Sequence, residues 1–218
     1  DLLRRKQDVG EYSWASLFQG QPRPRGGTVF GDPHSFRENE FPKSEYRVSI
    51  GIDFAYSAKT SSDWSIAVVM VTDGKRYFIR EVLRMQVRPT EFADALKQLS
   101  KRYDGPPMRW YASGTEQGTA DFVRQYAKTL NLESPTARGD KFVRSMSYAA
   151  AWNAGNVVLP AEGHQQWIDK FVEEHALFTG VRDEHDDQID AAAAAYDILS
   201  VPRFYEAGDD DVRFGRRW

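Results

Sequence analysis

The sequence predicts an α/β protein whose helices flank a mixed sheet, and three observations carry that prediction. Apolar, β-branched stretches at residues 47–55, 64–72 and 76–85 follow one another closely, and Asp73-Gly74 between the last two is a hairpin signal. Further short apolar stretches at 108–112 and 157–159 alternate with segments of helical periodicity. The last helical segment is rich in alanine and follows a run of acids. Together these give an antiparallel three-strand meander extended by strands that alternate with helices.

Each element has a local reason. Thr90 can cap a helix that runs to about residue 103, with Phe92, Leu96, Leu99 and Tyr103 on one stripe. Asp104-Gly105-Pro106-Pro107 ends it, and residues 108–112 form a short strand. A helix is expected over 119–130 with Phe122, Val123, Tyr126 and Leu130 inward. Asp140 can cap a helix over 141–154 that Gly155 closes, and 157–159 reads as a short edge strand. Residues 164–175 read as a helix with Trp167 and Phe171 inward, and 186–199 as the last helix, stopped by Pro202. No internal repeat is visible.

Residues 1–44 lack sustained periodicity, and Gln21-Pro22-Arg23-Pro24-Arg25-Gly26-Gly27 reads as an extended linker. Tyr12, Trp14 and Phe18 before it suggest an arm that docks somewhere. The organisation read from the sequence is therefore a linker arm at 1–44, one domain at 45–200 and a flexible tail at 201–218. The chain begins with Asp1, which reads as a fragment or a processed chain.

The 218 residues contain no Cys, so a disulfide scaffold and thiolate metal sites are excluded. No apolar run reaches the length of a membrane span, and no N-terminal signal segment is visible. The formal charge is −3, but it is unevenly spread. Residues 1–150 hold 23 Lys/Arg against 18 Asp/Glu, whereas 151–218 hold 6 against 14. Scattered surface charge is the plain explanation; a basic binding face beside an acidic site is the other.

The acids suggest chemistry. Asp53 ends the first apolar strand, where a carboxylate has burial or partnership to explain. Glu116 follows the fourth strand, and Asp186, Asp187 and Asp190 open the last helix, where i, i+3 and i, i+4 spacing shares a face. Five carboxylates from three elements can converge at one end of the sheet. They would repel one another unless cations sit between them. Mg²⁺ or Mn²⁺ suits all-oxygen donors. Two such ions about 4 Å apart activate a water and stabilise a leaving oxygen in phosphodiester hydrolysis. Each acid taken singly has an ordinary reading as well: a helix start for Asp186 and Asp187, a solvated loop for Glu116, a turn for Asp53.

The motifs Gly51-Ile52-Asp53-Phe54-Ala55, Ser62-Asp63-Trp64-Ser65, Gly139-Asp140-Lys141-Phe142-Val143-Arg144, Ala154-Gly155-Asn156-Val157 and His185-Asp186-Asp187-Gln188-Ile189-Asp190-Ala191 resemble the nuclease domain of the large terminase subunit of tailed bacteriophages, within the RNase H-like superfamily. Ser16 to Pro24 resembles the segment that joins that domain to its motor. The resemblance covers roughly residues 10 to 200. It implies an RNase H-like fold and a metal-dependent endodeoxyribonuclease that cuts concatemeric viral DNA during genome packaging. It also implies Asp53, Glu116 and Asp187 as catalytic metal ligands, with Asp186 and Asp190 as further ligand candidates and two Mg²⁺ or Mn²⁺ ions as cofactors. Lys141 and Arg144, with Arg138 and Lys59 beside them, would contact DNA phosphates. The partners implied are double-stranded DNA, an N-terminal ATPase domain of the same protein, the portal protein and the small terminase subunit, with no membrane. The place implied is the host cytoplasm, transiently at the procapsid portal. The chain has no Gly-x-x-x-x-Gly-Lys-Ser/Thr phosphate loop, so the motor is expected to lie outside it.

Other readings share part of the pattern. Holliday-junction resolvases and integrases have the acids but no further resemblance. An actin-like ATPase needs a second phosphate turn and a repeat that the sequence lacks. A non-catalytic DNA- or portal-docking module would leave the acids structural.

Overall fold

The computed structural model describes residues 29–54, 64–112, 116–135, 141–163, 165–180, 183 and 186–201, with the side chains of Glu116, Lys141 and Gln165 left aside. In chain order the elements are β1 (His34–Phe36), a single 3₁₀ turn (Glu38–Glu40), β2 (Arg47–Asp53), β3 (Ser65–Thr72) and β4 (Tyr77–Met85). Then come α1 (Pro89–Arg102), β5 (Met108–Trp110), α2 (Glu116–Tyr126), β6 (Leu132–Glu133), α3 (Lys141–Asn153), β7 (Val157–Pro160), α4 (Gln165–Leu177) and α5 (Asp187–Ser200).

The strands form one sheet in the order β1-β7-β4-β3-β2-β5-β6. The meander β2-β3-β4 is antiparallel, and β5, β6, β7 and β1 add in parallel on its two sides. Every residue of central β3 is buried, as a strand covered on both faces requires. One face packs Ile50, Ile52, Ala67 and Val69 under Phe92 and Leu96 of α1 and Val123 of α2. The other packs Ile66, Val68 and Met70 under α3, α4 and α5, through Tyr148, Trp152, Phe171, Ile189 and Ala191. The β3–β4 turn closes as its sequence predicts. Asp73 Oδ1 accepts from the N–H groups of Lys75 and Arg76, and Gly74 takes φ +88°.

Five expectations change. Helix α1 begins at Pro89 with Arg88 at the N-cap position, so Thr90 lies inside the first turn and does not cap it. Residues 29–44 are part of the domain, because β1 is the sheet's edge strand and Phe30 and Phe36 are buried. Residues 29–31 are tied to α3: Trp152 Nε1 donates to Gly31 O (2.9 Å) and Asn153 Nδ2 to Val29 O (2.9 Å). Consequently β7 is an interior strand between β1 and β4, and not an edge. The inward stripe of α2 is Ala120 and Val123, continued by Ala127 just past its end. Phe122 and Tyr126 are instead 45 % and 42 % exposed and stack on each other, because alanines let α2 approach more closely. The short β6 is an addition for which the sequence has no periodic signal. Tyr12, Trp14, Phe18, the arm before residue 29 and the tail after 201 lie outside the described residues.

A buried aromatic cluster joins α3 to α4. His175 stacks on Trp152 (4.7 Å between centroids, 19°), and its Nε2 and the Tyr148 hydroxyl are 2.8 Å apart. Its Nδ1 lies 2.7 Å from Phe171 O. Burial pushes the His175 imidazole down to about 3 from its ordinary value of 6.5. Above about pH 6.5 the ring is neutral in both folded and unfolded chains and gives no pH dependence. Below that, only the unfolded chain takes up the proton, so stability falls by about 1.4 kcal/mol per pH unit from this group alone. The expected result is about 2 kcal/mol lost to His175 between pH 7 and pH 5. Urea denaturation at the two pH values, compared with His175→Gln, checks it: the variant lacks that part of the acid sensitivity.

Candidate active site at the end of the central strands

The site is set by how α5 lies on β2. Arg47 donates to Leu199 O through Nη2. Two residues on, Ser49 Oγ donates to Ala195 O (2.8 Å). Two further, Gly51 faces Ala191, so closely that a Cβ on Gly51 would stand 1.7 Å from Ala191 O. Two strand residues rise about 6.6 Å and four helix residues about 6 Å, so the two series stay in step. The next step of that register brings Asp187, one turn before Ala191, to the end of β2 where Asp53 stands. The odd residues Arg47, Ser49, Gly51 and Asp53 share the face that α5 covers.

Asp53 and Asp187 are both half-buried, and so is Asp186, which precedes the helix and whose carbonyl accepts from Asp190 N–H (3.0 Å). Ile66 pairs with Asp53 across the meander, and Ile189 and Ala191 of α5 pack in the same core. Carboxylates at this end of the sheet are oxygen donors of the kind a hard divalent cation takes. Among the described residues no group of three or more His, Asp or Glu gathers tightly enough to hold a metal by itself. The third acid, Glu116, opens α2. It comes after β5, which runs parallel to β2 and ends on the same side of the sheet. Gln117 Nε2 donates to Ala112 O (2.8 Å) and ties the start of α2 to the end of β5.

Asp190 has a different setting. It is buried on the side of α5 that meets α3, and Arg144 Nη2 reaches both its oxygens at 3.0 and 3.3 Å. Both side chains are 11 % exposed. The Arg144 guanidinium also lies 5.6 Å from the Tyr111 ring centroid. Tyr111, just past β5, donates its hydroxyl to Asp197 Oδ2 (2.6 Å). Burial, and then the Asp197 carboxylate, push the Tyr111 hydroxyl up to about 12. Arg144, expected as a phosphate contact, thus has a partner inside the fold: it braces α3 against α5. Lys59, Arg138 and His185 lie outside the described residues, as do the side chains of Lys141 and Glu116.

The sequence did not reveal Glu174. This residue of α4 is buried, and its Oε1 accepts from Gln188 N–H (2.7 Å) while Oε2 accepts from Gln188 Nε2 (2.5 Å). It therefore satisfies an orphan N–H in the first turn of α5 and fixes the helix start that carries Asp187. Burial raises its carboxyl above the ordinary value. The signal was present as Glu-Glu-His at the end of an amphipathic helix, but nothing local shows which turn it caps.

A mixed sheet with an antiparallel meander, helices on both faces and acids at the end of its first long strand and at the start of its last helix defines an RNase H-like α/β protein. The chain belongs to the Terminase RNaseH-like domain family, whose model matches residues 50–198. Among solved structures it resembles the large terminase nuclease of thermophilic phage G20c with bound cobalt. The identity is 18 %, covering 78 % of this chain and 97 % of that one, with a TM-score of 0.59. The magnesium-bound form of that nuclease gives 18 % identity, the same coverage and a TM-score of 0.58. The large terminase of a second thermophilic bacteriophage matches at 12 % identity and a TM-score of 0.65, covering 90 % of this chain and 51 % of that one. The chain therefore spans about half of that second phage's protein. A comparison with curated protein sequences finds no match.

Proposed function

We propose that this chain is the nuclease part of a phage large terminase, a metal-dependent endonuclease that cuts concatemeric double-stranded viral DNA during packaging. The observation that carries the reading is the step-by-step register of α5 on β2, which runs through Gly51 and Ala191 toward Asp53 and Asp187. In this reading Asp53, Glu116 and Asp187 hold two divalent cations, with Asp186 able to share the second. Asp190, a further ligand candidate, acts first through Arg144 as a brace.

Divalent cations bound there supply a water acidified for attack on phosphorus and neutralise charge on the leaving oxygen. The chain's own part is to hold the acids at one end of a rigid sheet, to keep α5 in register, and to orient the phosphate. Lys141, with Lys59 and Arg138, would contact the backbone without reading sequence. Metal-bound forms of the G20c nuclease, with cobalt, zinc and magnesium, support a divalent requirement.

The second phage's large terminase has been seen with ADP, and this chain matches about half of it. That supports an ATPase domain in the same protein as the partner. Portal protein and small terminase subunit follow as further partners, with the procapsid portal in the host cytoplasm as the place of action.

Incubation of the chain with supercoiled plasmid and Mn²⁺ or Mg²⁺ tests the reading. Conversion to nicked and linear forms that stops in EDTA is the expected result. Conversion that persists undiminished in EDTA contradicts it.

A further inference from the structure

The sheet end that carries Asp53 holds a second feature. In the meander, Asp53 pairs with Ile66 and Ile66 pairs with Arg84. Directly paired residues point to one face, so Asp53, Ile66 and Arg84 form a row, with Arg84 two strand spacings, about 9.6 Å, from Asp53. Trp64, two residues before Ile66, lies on the same face and packs against the core beneath α3, α4 and α5. The Arg84 guanidinium sits over the Trp64 ring with its carbon 3.8 Å from the centroid. That contact holds the planar group in one orientation.

Arg84 differs from the other arginines nearby. Arg76, Arg80, Arg102, Arg109 and Arg144 each have a carboxylate at ion-pair distance. Among the described residues none gives Arg84 one; its Nε is buried without a hydrogen-bond partner, as are those of Arg109 and Arg144. Glu173 is close enough to feel its charge, but the Glu173 carboxylate is bonded to Lys170 Nζ (2.7 Å), which is the main cause of its lowered pKa. A guanidinium fixed flat beside an acidic site, with donors uncommitted, matches a phosphate oxygen pair.

We infer that Arg84, held on Trp64, is a subsite for a backbone phosphate of the DNA strand that enters the Asp53 end of the sheet. The inference rests on the nuclease reading and adds a residue to it. The contact is independent of base sequence, and the phosphate it takes lies beside the one that is cut.

Duplex binding in Ca²⁺ tests it without relying on cleavage, by fluorescence anisotropy of a labelled oligonucleotide across about 50–200 mM salt. Arg84→Gln is expected to reduce the slope of log Kobs against log salt by about 0.9, the value of one lost phosphate contact. The affinity should fall several-fold, equally for unrelated sequences. Arg84→Lys, which keeps the charge, should restore the slope; a merely structural role would not give that rescue. An unchanged slope and affinity in a folded Arg84→Gln chain overturns the subsite, as does a chain that binds no duplex. The two readings fail separately. EDTA-resistant plasmid cleavage with an Arg84-dependent slope removes only the metal mechanism, and EDTA-sensitive cleavage with an Arg84-independent slope removes only the subsite.

Discussion

Replacing Asp53 with alanine is expected to lower Mn²⁺-dependent plasmid cleavage by more than about 10³-fold, with the fold intact. Loss of one oriented group that stabilises transition-state charge typically costs about 10²–10³-fold. Removing a carboxylate that holds a metal takes away both the attacking water's activation and that charge stabilisation. The same substitution should read out in stability. In EDTA, with no cation bound, Asp53→Ala should melt close to the unaltered chain. With Mn²⁺ at about 100 times its Kd, binding stabilises the unaltered chain by about 2.7 kcal/mol, or roughly 5–11 °C in Tm for a domain of this size. Asp53→Ala should lose most of that increment. Equal Mn²⁺ stabilisation in the two chains would contradict a metal role for Asp53.

The second large effect is expected at Gly51. A Cβ there would meet Ala191 O at 1.7 Å and Ala195 N at 2.4 Å, both helix backbone that cannot rotate aside. Helix α5 would have to lift from β2. The Ser49–Ala195 hydrogen bond would be lost, and the packing of Ile189 and Ala191 over Ile66 and Val68 would open. Overpacking of this kind costs about 1–3 kcal/mol and sometimes more, and this contact is at the severe end. Gly51→Ala is expected to cost about 3 kcal/mol or more, lowering Tm by roughly 6–12 °C, and to part Asp53 from Asp187. Calorimetry that finds a drop under about 3 °C would show that the helix does not lie on this strand as closely as described.

The central elements were legible because their periodicity is strong. β2, β3 and β4 are apolar and bounded by a turn signal, and Phe92, Leu96 and Leu99 form a regular helical stripe. The misses among the strands have one physical cause: position in the sheet depends on partners far away in sequence. His34–Phe36 and Leu132–Glu133 are too short to show a period. Without β1, the strand Val157–Pro160 looks like an edge. Phe122 and Tyr126 look inward because they are large, while the helix approaches through its alanines.

The sequence nominates candidate acids, but the pairings that support them are not visible in it. Glu174 on α4 caps α5, and Arg144 on α3 pairs with Asp190. Neither pairing leaves a local trace. One clue was present: a glycine inside an apolar strand marks a close backbone approach, and the Ala-rich last helix is the element that can make it.

The most direct test of the account is a crystal of this chain soaked in Mn²⁺ and measured at the manganese absorption edge. Anomalous density between the carboxylates of Asp53 and Asp187, with Glu116 or Asp186 completing the oxygen ligands, is the expected result. Density elsewhere on the chain, with none at the end of β2, would contradict it.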